Sequence, residues 1–118
     1  MLKVIDQVKF DHVVDGAVVR ATGTSWEAAT VKAAQQVRKY RTNLSGLVIL
    51  SPTGAVVAGT NGNYTVGERE TTCNCKAARN GLKCWHRPAV RLVRRMVEAG
   101  IVVNDLSRAI EEVDELFT

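Results

Sequence analysis

The chain has 118 residues, 46% hydrophobic and 24% charged, the proportions of one ordinary globular domain. No run of about 18 apolar residues exists to span a membrane, the early charges of Met1–Phe10 do not suit a secretory leader, and three cysteines argue for a reducing compartment over a disulfide framework. The net charge is +4, but residues 69–95 hold eight Lys/Arg against Glu70 alone, whereas residues 96–118 hold six acids against Arg108; this dipolar arrangement points to an anionic partner, most simply nucleic acid.

In chain order, Val8, Phe10, His12 and Val14 alternate, which predicts a strand over Val8–Val14. Asp15-Gly16 favours a type I′ turn, and Ala17–Gly23 reads as the partner strand. His12, on the apolar face of that strand, is read as a core histidine rather than a ligand. Thr24-Ser-Trp-Glu27 fits a capping box, and a helix is expected from there to Tyr40 with Trp26, Ala29, Ala33, Val37 and Tyr40 on its buried stripe. Trp26 and Tyr40 are read as core anchors. Residues 42–67 carry no charge and break into strand-length apolar runs at Leu47–Leu50, Ala55–Ala58 and Tyr64–Val66, divided by Ser51-Pro-Thr-Gly54 and Gly59-Thr-Asn-Gly-Asn63.

Beyond the cysteines lies the strongest helical pattern, with Pro88 near its first turn and Gly100 at its C′ position. Arg87, Arg91, Arg94, Arg95 and Glu98 fall on one arc of that helix, and Ala89, Val90, Leu92, Val93, Met96 and Val97 cover the other side. Asn104 is read as the cap of a last, acidic helix over 104–118, whose apolar face is Leu106, Ala109, Ile110, Val113 and Phe117. The fold class expected is α+β: an antiparallel sheet with one packed helix, then a Cys₃His zinc finger and two C-terminal helices. A single domain covers 1–118, as a ββαββ portion (1–61), the finger (62–100) and the acidic helix (101–118).

All three cysteines and one of two histidines lie in Cys73-Asn-Cys75-Lys-Ala-Ala-Arg-Asn-Gly-Leu-Lys-Cys84-Trp-His86. Zn²⁺ takes four tetrahedral thiolate and imidazole ligands, and a set complete in protein donors leaves no open position for water. The constellation therefore predicts one structural Zn²⁺ on Cys73, Cys75, Cys84 and His86. Asn80-Gly81 lies in the spacer that must fold the second pair onto the first. The basic surroundings are expected to lower the thiol pKa values.

C-x-C, a spacer, then C-x-H followed directly by an amphipathic helix resembles a SWIM-type zinc finger. The resemblance covers roughly residues 62–99, about a third of the chain. Tyr64–Val66 and Thr71–Cys73 resemble the entry strands, and Ala89–Ala99 resembles the helix. Trp85 stands where many members carry a basic residue. The resemblance implies a metal site in a protein that binds DNA or other proteins, here in a small standalone chain.

No nucleophile–base set, phosphate-binding glycine loop or dinucleotide motif is present in the sequence, so no catalytic residue is expected. The function expected is non-enzymatic nucleic-acid binding, DNA before RNA. Arg87, Arg91, Arg94 and Arg95 would present guanidinium forks to phosphate, with Lys76, Arg79 and Lys83 extending the patch. The alternative is a protein–protein adaptor that docks a partner on the acidic helix. No membrane role is expected, and the location expected is intracellular, cytoplasmic or with the chromosome.

Overall fold

Phe10 and Val14 are both fully buried, while Val8 and His12 point to solvent. Burial four residues apart is the periodicity of a helix, not of a strand. In the computed structural model, which describes residues 1–104, Gln7–Ala21 is one continuous helix, α1. The hairpin expected over 8–23 is thus corrected to a helix, and His12 is neither core nor ligand. Asp6 caps α1 by accepting the Lys9 amide at 3.0 Å. Gly16, expected in a turn, lies inside this helix. The valines of α1 favour strands locally, but burying Phe10 and Val14 with Val13, Ala17 and Val18 packed beside them overrides that preference.

The second helix, α2, spans Glu27–Lys39 and buries Ala29, Thr30, Ala33, Ala34 and Val37. Trp26 and Tyr40 pack at its two ends as expected. The capping box does not form: Trp26, not Thr24, is the cap residue of α2, and no side chain caps the helix. The Thr24 hydroxyl accepts the Trp26 amide at 3.2 Å, but the Thr24 amide donates to the Ala21 carbonyl instead of to Glu27.

The uncharged segment makes the three-stranded antiparallel sheet read from the sequence: β2 (Val48–Ser51), β3 (Gly54–Gly59) and β4 (Gly62–Val66), in that order. Val48 pairs with Val57, and Ala55 with Val66. These four are buried on one face, and Ile49, Val56 and Thr65 are exposed on the other. A second sheet pairs β1 (Leu2–Val4) with β5 (Val102–Asn104). Asn104 ends β5, and the acidic helix expected to follow it lies outside the described residues. The architecture is α+β: α4 packs on the larger sheet, and α1 and α2 pack on α4.

The last helix described, α4, spans His86–Glu98 and packs against α1, α2, all three strands of the larger sheet and β5. Ala89, Val90, Leu92, Val93 and Met96 are its buried face. Pro88 is its third residue, where an amide would have no intrahelical partner. The helix stops at Gly100, whose φ of 74° lets the Ile101 amide reach the Met96 carbonyl at 2.9 Å. Ile101 is then carried into the core, and the chain enters β5.

Gly16→Ala tests the first helix. An added Cβ would meet only the mobile end of Arg20 at 3.3 Å. The substitution is expected to stabilise the protein by about 0.5–1 kcal/mol in denaturant titration, because alanine is the better helix former. Destabilisation would mark Gly16 as a turn residue and remove α1.

Candidate metal centre and basic surface

Beyond β4 the chain turns back beside its own strand. Val66 bridges Cys73, the Asn74 amide donates to the Thr65 carbonyl at 3.2 Å, and the Asn74 side chain accepts the Thr65 amide at 2.8 Å. This return places Cys73 and Cys75 at the sheet edge. Cys75 then caps a single helical turn, α3 (Lys76–Arg79), its sulfur accepting the Ala78 amide at 3.4 Å. Gly81, with a φ of 74°, lets the Leu82 amide bond the Ala77 carbonyl. The spacer is reversed there, as Asn80-Gly81 suggested, and Cys84 arrives two residues before α4.

The donor atoms of Cys73, Cys75, Cys84 and His86 all lie within 4.8 Å of one another. Tetrahedral zinc sets such donors roughly 3.5–3.8 Å apart; Cys73 Sγ and His86 Nδ1 are 3.7 Å apart. Cys75, Cys84 and His86 are buried and Cys73 is half-buried. The group fits one Zn²⁺, which His86 would hold through Nδ1. Its other ring nitrogen, Nε2, is buried and without a hydrogen-bond partner among the described residues. The imidazole is instead packed between two tilted rings, Tyr64 and Trp85, centred 4.8 and 4.4 Å away. Trp85 is itself buried in the core, so the residue between the last two ligands anchors the fold rather than meeting solvent.

Protonation in the metal-free state does not follow basic surroundings alone. Burial pushes the Cys73 thiol up to about 12, against the expected lowering. Burial opposes ionisation of Cys75 too, but the Ala78 amide and hydrogen bonds with Cys73 and Cys84 outweigh it, and its pKa falls. Burial, aided by Lys32, lowers His86 and keeps its imidazole neutral, the form a metal binds. Loading the site must therefore release thiol protons.

The seven cations expected to meet nucleic acid separate into two groups. Lys76, Arg79, Lys83, Arg91 and Arg95 are exposed. Arg94 is not available: its Nε donates to Glu70 at 2.8 Å and its guanidinium also reaches the Gly54 carbonyl at 3.0 Å. Arg87 donates to the Glu70 carbonyl at 2.7 Å and lies 4.7 Å from the centre of the Trp26 ring. Both arginines hold the turn at Glu68–Glu70, where Arg69 and Glu70 take left-handed φ values of 58° and 56°. Such conformations cost about 1–2 kcal/mol each for residues with a Cβ. Two cations on one buried glutamate offset that strain. Lys83 also sits over Trp26, at 5.1 Å, which docks the metal loop on the start of α2.

Tyr64, Gly59 and Glu70 were not singled out as site residues in the sequence reading. Glu70 had a signal, since it is the lone acid of a strongly basic segment. Tyr64 and Gly59 read only as parts of a sheet. Neither a protein family, nor a curated protein, nor a solved structure matches the chain.

A Cβ at Gly59 would lie 2.5 Å from the Tyr64 ring and 3.0 Å from His86 Nε2. Gly59→Ala is expected to weaken zinc binding roughly tenfold by displacing the ring that backs the ligand, within the range known for outer-shell changes. Cys84→Ser should weaken it far more. Competition with a chromogenic chelator measures both, and unchanged affinity in Cys84→Ser would remove the metal centre.

Proposed function

We propose that this chain is a non-enzymatic, intracellular DNA-binding protein whose fold is completed by one structural Zn²⁺ in a SWIM-type site. The carrying observation is the pair Arg91 and Arg95. Both are exposed on α4, one turn apart, and neither has an acidic partner among the described residues. Lys76, Arg79 and Lys83 add exposed positive charge on the metal loop, whose position is fixed by the same ligands that begin α4. Guanidinium and ammonium groups of this kind contact phosphate and fix orientation, with little reading of sequence. A complete set of four protein ligands supports a structural role for the metal, and it occupies every cysteine of the chain. The adaptor reading depends on an acidic helix outside the described residues, so no described contact favours it.

The zinc-loaded protein is expected to bind labelled single-stranded or duplex DNA with a steep salt dependence. Three to five phosphate contacts give a log–log slope of about −2.7 to −4.5 on duplex. Arg91→Glu with Arg95→Glu should weaken binding at least tenfold while zinc stays at one per chain, as read by fluorescence anisotropy and metal analysis. Retained affinity in this variant, or a slope near zero, would overturn the reading.

A further inference from the structure

We infer that the cleft between α1, the start of α2 and α4 is a binding site for the phosphate monoester of a nucleotide. The cleft has a volume of about 280 Å³. This is the lower end of the range for small-ligand sites and suits a phosphate with its sugar better than a continuous strand. Four arginines line it: Arg20 from α1, and Arg87, Arg91 and Arg95 from α4. Its one acid, Glu70, is already engaged by Arg94. Arg20, Arg91 and Arg95 have no ion pair or hydrogen bond among the described residues, so the cleft is left with uncompensated positive charge.

A second observation comes from α2. Thr30 lines the same cleft; the residue is 6% exposed overall, but its hydroxyl is not a buried atom left unpaired and opens on the cleft. A hydroxyl so placed can donate to a phosphate oxygen held by the guanidinium groups. The small side chains Ala17 and Ala21 leave the space on the α1 side. Trp26 forms a wall, but its ring already has Arg87 and Lys83 over it, so the site selects the phosphate rather than the base. A monoester carries about −1.5 to −2 at neutral pH, against −1 for a diester inside a strand, and so gains more from several arginines.

The inference rests on the nucleic-acid reading only for the strand end as the source of the phosphate; a free nucleotide is the other source. Arg20 and Thr30 belong to the cleft alone, which separates this site from the exposed cations of α4. The test measures anisotropy of a short labelled oligothymidylate with a 5′-phosphate or a 5′-hydroxyl, and calorimetry of adenosine monophosphate, against the zinc-loaded protein. The expected result is about tenfold tighter binding of the 5′-phosphorylated strand. Arg20→Gln and Thr30→Val should each abolish that preference and leave binding of the 5′-hydroxyl strand unchanged. Binding of adenosine monophosphate that both variants abolish, with no strand binding, would also support the site; it would assign a free nucleotide as the ligand and defeat the DNA reading. Equal affinity for the two strand ends with no binding of the nucleotide overturns the inference and leaves the DNA reading standing. A 5′-phosphate preference that survives in both variants overturns it as well.

Discussion

The step from Cys84 to His86 places two metal donors at the very start of α4, so one turn of chain must satisfy both a coordination sphere and the packing of a central helix. Every other described helix of more than one turn, and every strand of the larger sheet, leans on α4. Its buried face fixes where α1, α2 and the sheet sit, and its first residue is one of the four donors that could hold the metal. Trp85, between the two donors, is part of the same core. Metal coordination and hydrophobic burial are consequently coupled through a few covalent bonds rather than through a long path of contacts.

The same helix shows why a row of arginines is not a measure of available charge. Arg87 and Arg94 share Glu70, one through its carbonyl and one through its carboxylate. They stand on the arc that also carries Arg91 and Arg95, yet their work is internal: they hold a turn whose two left-handed residues would otherwise be costly. The solvent-facing members of the row are one turn apart, and Arg20 reaches them from a helix more than sixty residues earlier in the sequence.

Where the sequence was legible, the chemistry was local. The ligand set is legible because few roles other than metal binding gather three cysteines and a histidine in fourteen residues. The strands of the uncharged segment are bounded by turn residues with definite backbone needs, and Gly100 ends α4 where its conformation is required. At α1 the local signals pointed the wrong way. Asp15-Gly16 and a run of valines favour a hairpin, and only long-range packing of Phe10 and Val14 against other elements decides for a helix. The arginine-lined cleft was beyond reach for a related reason. Arg20 and Thr30 have no local pattern that marks them, and they meet Arg91 and Arg95 only once three helices have packed.

The chain's two tryptophans fall on opposite sides of this division of labour. Trp85 packs at a tilt beside the metal donor His86, whereas Trp26 walls the cleft beneath Arg87 and Lys83. Their emission therefore carries two signals, one from the coordination sphere and one from the basic cleft. A pair of single-tryptophan proteins would turn the molecule into its own two-channel probe, in which the cleft signal also senses the metal loop through Lys83 and Arg87 over Trp26.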